Sequence, residues 1–310
     1  MPLAARVIAN LGAELLVRHP DYGYFHARAL KKHGLLVCGD KVVCHSQSSL
    51  PNLNRPDGQP HPETLRVVDV TERRGVLQRT DRRGTAKPIA ANLTQVVAVT
   101  APKPPFDPLL IDRYTIAARH MEVSLVLAIN KTDLLDTDDL QAQAADIESL
   151  YTAIGYKVIR CNGKSGEGLS ELASILADEV SILVGQSGVG KSSILNRMLP
   201  EQSIRTGALS EISGLGRHTT TVTMWYDLPT GGALIDSAGV RQFALEHLSN
   251  VDIEAGFVEI SEASLRCKFR DCSHLKEPDC AVVSALQSGV ITQQRYDHFQ
   301  AISAEAAGSA

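Results

Sequence analysis

Residues Gly185-Gln-Ser-Gly-Val-Gly-Lys-Ser192 read Gly-x4-Gly-Lys-Ser directly behind the apolar run Ser181–Val184. No other feature constrains the fold as much. Glycines let backbone N–H groups curl around phosphate, and a following helix N-terminus adds positive potential, so the pattern demands a strand, a loop and a helix in succession. The flanking sequence supplies the rest of such a layer. Strands are expected at Val96–Thr100, Ser124–Ile129, Lys157–Cys161, Ser181–Val184, Met224–Leu228 and Ala233–Ile235. Helices are expected at Pro108–His120, Thr137–Tyr151, Gly168–Asp178 and Gly190–Leu199. The alternation implies a mostly parallel α/β sheet covered by helices, with ligands at the carboxyl ends of its strands.

Within the loop, the backbone of Gly185, Gln186, Ser187, Gly188, Val189, Gly190 and Ser193 is expected to face phosphate. Lys191 is expected to reach the β- and γ-phosphates, and Ser192 to ligate Mg²⁺. Asn130-Lys-Thr-Asp133 follows another apolar strand and looks like a guanine-reading motif. The Asp133 carboxylate can accept from guanine N1–H and the exocyclic amine. Adenine offers neither donor and would leave that carboxylate unpaired. Lys131 would lay its stem along the base and Asn130 would meet its other edge, whereas the bland reading makes Asp133 a helix cap. Cys161–Gly168 falls where a backbone loop would touch the guanine oxygen.

Asp236-Ser-Ala-Gly239 closes a further strand and fits an Asp-x-x-Gly turn that senses Mg²⁺ and the γ-phosphate; a helix-capping turn is the alternative. Between it and the phosphate loop lies Gly214-Leu-Gly-Arg-His-Thr-Thr-Thr221. A threonine here must offer its hydroxyl to Mg²⁺; Thr220 is the choice and Thr219 the rival. Val240 stands where a water-orienting glutamine is found in Ras-like enzymes, and an aliphatic side chain cannot polarise water. His218 is the available substitute, set against the plain reading of a solvent-facing histidine. The motif order is itself informative. The guanine motif at 130 precedes the phosphate loop at 185, so a conventional sheet has been circularly permuted and the termini moved.

Residues 1–92 read differently, as short strands (Arg6–Ala9, Tyr24–Leu30, Asp40–His45, Leu65–Val70, Gly75–Arg79) broken by Pro/Gly/Asn clusters. Five such strands fit an OB-type barrel of the kind that binds nucleic acid. The charge agrees. Residues 1–90 hold 14 Lys and Arg against 8 Asp and Glu, net +6, while the remainder holds 17 against 27, net −10. Arg66, Arg73, Arg74, Arg79, Arg82, Arg83 and Lys87 form the densest basic stretch, suited to phosphate contact or, more blandly, to a solvated loop.

At the other end, Cys267-x4-Cys272-x-His274-x5-Cys280 offers three thiolates and an imidazole, a closed tetrahedral set for one structural Zn²⁺. Cys38, Cys44 and Cys161 lie in apolar segments and read as core. No apolar run approaches the roughly 18 residues of a membrane span, and the start Met1-Pro-Leu-Ala-Ala-Arg lacks a secretory layout, so the expectation is a cytoplasmic chain away from membranes. The expected division is a barrel over 1–92, a permuted nucleotide-binding domain over 93–245 and a small helical zinc-binding domain over 246–310.

Ala90-Ala-Asn92, Asn130–Asp133, Gly185–Ser192, Gly216-Arg-His-Thr-Thr-Thr221, Asp236–Val240 and the Cys267…Cys280 cluster together resemble the RsgA (YjeQ/YloQ) family of small-ribosomal-subunit-dependent GTPases. The resemblance implies GTP hydrolysis to GDP with Mg²⁺, stimulated by the 30S subunit. It further implies contact with 16S rRNA and with other 30S assembly factors during late maturation, and a hydrolytic role for His218. Ala238 departs from the proline usual in relatives. A monomer is expected. The rival reading is an rRNA-binding adaptor that holds nucleotide without significant turnover.

Overall fold

The computed structural model describes residues 2–46, 61–80, 85–199, 222–236, 245 and 248–308. The amino-terminal part is a closed barrel of β1 (Pro2–Asn10), β2 (Leu15–His19), β3 (Gly23–Arg28), β4 (Lys41–His45) and β5 (His61–Val70). Its order is β1-β2-β3-β5-β4, closed by β4 on β1, and only the β3–β5 pairing is parallel. Leu3, Val7, Leu15, Val17, Phe25, Val42, Cys44, Leu65 and Val67 fill the interior. Pointing every second residue inward, as a pleated strand must, gives this set.

One strand differs from expectation. The segment expected at Gly75–Arg79 forms β6 (Leu77–Thr80), which pairs with β7 (Ala86–Ala90) in a separate two-stranded ribbon. The fifth barrel strand is instead Leu15–His19. Its Leu15 and Val17 face the barrel interior while Leu16 faces the large core beyond the barrel. A strand buried on both sides shows no alternation, which is why the pattern hid it.

The second layer is a six-stranded sheet of order β10-β9-β8-β11-β13-β12, parallel except for the edge strand β12. Its strands are β8 (Gln95–Thr100), β9 (Ser124–Ile129), β10 (Lys157–Arg160), β11 (Val180–Val184), β12 (Met224–Asp227) and β13 (Ala233–Asp236). Helices α1 (Pro108–His120) and α2 (Asp138–Ala153) cover one face; α3 (Leu169–Leu176) and α4 (Lys191–Met198) cover the other. Along β8, Val96 and Ala98 join the first core and Val97 and Val99 the second, so the strand is apolar throughout. The chain winds outward from β8 through β9 to β10, then returns to place β11 on the opposite side of β8. The reversal creates a crevice at the carboxyl ends of β8 and β11. The barrel meets the far edge of this sheet: the Arg6 guanidinium stacks over Trp225 at 4.5 Å, and Arg18 pairs with Asp227.

Among the described residues, four further helices follow the sheet: α5 (Asn250–Gly256), α6 (Val258–Ser264), α7 (Ala281–Gln287) and α8 (Gln293–Gly308). Ser249 starts α5 with a reciprocal capping box through Asp252. At its other end a Cβ on Gly256 would collide with the Ile116 backbone, so only glycine allows α5 to lie this close to α1. Among the described residues, no helix is long and apolar enough to cross a membrane.

Buried charge fastens these helices to the sheet. Arg295 of α8 is fully buried, as is Asp112 of α1. Arg295 Nη1 donates to Asp112 Oδ1 at 2.5 Å, while Nε and Nη2 clasp Glu259 of α6 at 2.6 and 2.9 Å. The Tyr151 hydroxyl of α2 donates to Asp112, whose other oxygen lies 2.5 Å from His298 Nδ1. The guanidinium lies 4.3 Å over the Phe257 ring. Removing one member of such a cluster strands its partners in low dielectric. Arg295→Ala is therefore expected to cost about 3 kcal/mol of stability in urea unfolding; a loss below about 1 kcal/mol, the level of an exposed ion pair, would contradict this account.

Candidate functional site at the carboxyl ends of the sheet

Every nucleotide motif that falls on described residues sits at a strand's carboxyl end. The phosphate loop leaves β11, Asn130 follows β9, Cys161 follows β10 and Asp236 ends β13. The loop turns through left-handed conformations at Gly188 and Gly190, then enters α4 at Lys191. A Cβ on Gly190 would strike the Asn130 amide, so the glycine serves a close approach as well as a turn. Val189 is buried and anchors the loop, leaving Ser187, Gly188, Ser192 and Ser193 exposed. The Lys191 ammonium donates to the Gly185 and Gln186 carbonyls at 2.7 and 2.9 Å, holding a cation within the loop. Burial raises the Asp236 carboxyl above its ordinary value, while the Lys191 ammonium pulls it the other way.

Asn130 is almost completely buried. Its Nδ2 donates to the Val189 carbonyl at 2.8 Å, and its Oδ1 accepts from the Gly163 N–H at 2.9 Å. Both ends of this amide bond protein and tie the phosphate loop to the 161–168 loop, while the second Nδ2 hydrogen is left over for the base edge that the sequence reading assigned to it. Lys131 holds a left-handed conformation and reaches back to the Lys103 and Gly188 carbonyls at 2.7 and 2.5 Å. Its stem thus bridges two loops that border the crevice.

Asp133 lies in a short 3-10 turn, Thr132–Leu134, with its carboxylate exposed. Asn162 Nδ2 donates to Asp133 Oδ1 at 2.7 Å, and Asn162 Oδ1 accepts from the Lys164 and Ser165 N–H groups at 2.9 and 3.2 Å. Asn162 thus shapes its own loop and orients the carboxylate. Sequence reasoning missed it, although Asn162-Gly-Lys-Ser165 carries the signature of an asparagine side chain bonding backbone two and three residues on. Asp107 was also missed. It caps α1 by accepting from the Leu110 N–H at 3.0 Å, and its second oxygen accepts from Gln186 at 3.1 Å. His218, Thr219, Thr220, Ala238, Gly239 and Val240 lie outside the described residues.

The second candidate site is the cluster Cys267, Cys272, His274 and Cys280, whose ligand atoms all fall within 4.8 Å of one another. Cys267 Sγ lies 3.9 Å from Cys280 Sγ, and His274 Nδ1 lies 3.6 and 3.5 Å from these two sulfurs. A tetrahedral zinc ion with ordinary bond lengths has sulfur–sulfur edges of about 3.8 Å and sulfur–nitrogen edges of about 3.6 Å. The donor set fits. His274 is buried, with its Nε2 3.1 Å from Glu254 Oε2, so a carboxylate on α5 fixes the ring with Nδ1 facing the sulfurs. Ser264 donates to the other Glu254 oxygen at 2.5 Å, and Tyr296 of α8 donates to the His274 carbonyl at 2.5 Å. The remaining cysteines differ. Cys38, Cys44 and Cys161 are buried, and desolvation raises all three thiols, Cys44 and Cys161 to about 12, which keeps them protonated core residues.

The geometry predicts about one zinc per chain by elemental analysis after exhaustive dialysis. Cys272→Ser should lose it, and Glu254→Gln should weaken metal affinity by about 10- to 100-fold. Full zinc content in Cys272→Ser would remove that residue from the ligand set.

Comparison with known proteins agrees with this architecture. A family model described as RsgA GTPase matches residues 70–246. The chain is 40% identical to the small ribosomal subunit biogenesis GTPase RsgA of Saccharophagus degradans, over 96% of this chain and 86% of that protein. It is 41% identical to the protein of the same name from Pseudomonas syringae pv. syringae, over 86% of this chain and 78% of that one. The crystal structure of YjeQ from Thermotoga maritima superposes with a TM-score of 0.76 at 26% identity, covering 99% of both chains. YloQ, described as a circularly permuted GTPase, shares the fold with a TM-score of 0.75. With its phosphate loop on β11 and its guanine-type motif on β9 of one permuted sheet, the chain belongs to the RsgA family of GTPases, hydrolases acting on GTP.

Proposed function

We propose that this chain is a late maturation factor for the 30S ribosomal subunit that binds rRNA and leaves on GTP hydrolysis. The observation that carries the nucleotide half is the convergence of three loops. Asn130 bonds both the phosphate loop and the 161–168 loop, and Lys131 bonds the phosphate loop again, so phosphate and base subsites form one rigid cradle. In this reading the N–H groups from Gly185 to Ser193 and the Lys191 ammonium take the phosphates. Asp133, oriented by Asn162, takes the guanine donors, and Lys131 lies along the base. Ser192, Thr220 and Asp236 would hold Mg²⁺, which neutralises charge building on the transferred phosphoryl group. Gly239 would meet the γ-phosphate. His218 orients the attacking water, since Val240 cannot.

The ribosomal half rests on the relatives' names and on the basic character of residues 1–90. It accords with a division into an rRNA-binding barrel over 1–92, a GTPase domain over 93–245 and a zinc-stabilised helical domain over 246–310. It also accords with a cytoplasmic monomer that meets other assembly factors on the particle.

The test is GTP turnover with and without purified 30S subunits. Strong stimulation is expected, with Lys191→Ala lowering the stimulated rate by at least about 100-fold, the scale of one preorganised charge lost at phosphate. Binding without stimulation would favour a nucleotide-holding adaptor, and wild-type turnover in Lys191→Ala would remove the phosphate loop from the chemistry. Reversing charge at Arg82 and Arg83 should weaken subunit binding and flatten its dependence on salt concentration.

A further inference from the structure

We propose that Asp107 is a positioning residue for nucleotide binding, holding the phosphate loop in register with helix α1. The inference rests on the reading of Gly185–Ser193 as the phosphate site. Asp107 lies outside every motif in the sequence, yet its two carboxylate oxygens serve different structures. Oδ1 accepts from the Leu110 N–H at 3.0 Å and starts α1; Oδ2 accepts from Gln186 Nε2 at 3.1 Å and grips the second residue of the loop. Two turns further along the helix, on the same face, the buried Tyr114 hydroxyl lies against the Gly185 backbone. Helix α1 thus touches consecutive loop residues at Gly185 and Gln186.

This attachment bears on binding for a geometric reason. A phosphate loop works by aiming several backbone N–H groups at one point, so its affinity depends on a backbone fixed before the ligand arrives. The Gln186 carbonyl already anchors Lys191, and its side chain is tied to Asp107. Residue 186 is therefore held at both its main chain and its side chain. Losing the side-chain tie frees the loop to sample arrangements in which the N–H groups diverge, and nucleotide must then reorder it.

Three variants isolate this role from capping. Asp107→Ser keeps an oxygen suited to capping α1 but cannot reach Gln186. Asp107→Asn keeps the cap and, by rotating the amides, the contact with residue 186. Gln186→Leu removes the contact from the other side. The measurement is the dissociation constant of a non-hydrolysable GTP analogue with Mg²⁺, alongside thermal unfolding of each nucleotide-free protein.

Asp107→Ser and Gln186→Leu should each weaken binding by about ten-fold, the lower end of what one hydrogen bond to a charged acceptor contributes. The double variant should be no weaker than either single change, and Asp107→Asn should stay within about two-fold of wild type, with melting temperatures unchanged. Wild-type affinity in both single variants, or effects that add in the double variant, would overturn the positioning role alone. A folded wild-type protein that binds no guanine nucleotide would instead overturn the underlying reading of the site.

Discussion

The structure depends on the parallel pairing of β11 with β8. Two strands, β9 and β10, and three helices separate them along the chain, yet Ser181, Ile182, Leu183 and Val184 lie opposite Gln95, Val96, Val97 and Ala98 in unbroken register. A buried hydrogen bond from Ser181 to Gln95, 3.0 Å long, fixes that register where a slip would leave both polar groups unsatisfied. With the pair in place, the phosphate loop emerges beside the strand whose other neighbour, β9, carries Asn130. Chain order then ceases to matter for the site. A permutation preserves whatever depends on strand adjacency and alters only where the chain enters and leaves.

What the permutation alters is the role of α1. The chain leaves the sheet after β13, and its last helices return to pack on α1, the helix that also touches the phosphate loop. Ile116 receives α5 at a distance only Gly256 permits, and Asp112 receives Arg295, Tyr151 and His298. A buried ion cluster adds little net stability over an apolar one, but it penalises misplacement strongly, because each displaced charge is left without solvent or partner. The carboxyl-terminal helices are thereby held in one seating. The Cys267, Cys272, His274 and Cys280 cluster is tied into the same unit, through Glu254 on α5 and Tyr296 on α8.

Much of this was legible beforehand, for reasons that vary with the residue. Gly185–Ser192 and Asn130–Asp133 announce themselves because their chemistry requires contiguous residues. The cysteine cluster does so because four soft donors within 14 positions have few other uses. Helix α1 was bounded correctly at Pro108 and His120, since proline favours a first turn and the apolar stripe runs out at the turn that follows. Leu15–His19 escaped because burial on both sides erases alternation. Asn162, Asp107 and Arg295 escaped for another reason: the partner that gives each its role lies 29 to 183 residues away in sequence, and no local pattern points to that partner. Asn130 is named by its motif, but its bonds to Val189 and Gly163 are not, because a motif names a residue and leaves the partners of its amide within the protein open.

The central claim is that loops reordered by the permutation make one guanine-nucleotide cradle. Amide hydrogen exchange with added Mg²⁺ and GDP tests it most directly, because the phosphate loop from Gly185 to Ser193 and the loop from Cys161 to Gly168 are reported separately. The account predicts that GDP protects both loops together, saturating at one nucleotide concentration, while pyrophosphate protects the phosphate loop far more than the other. Protection of the phosphate loop by GDP with no change at residues 161–168 would contradict it.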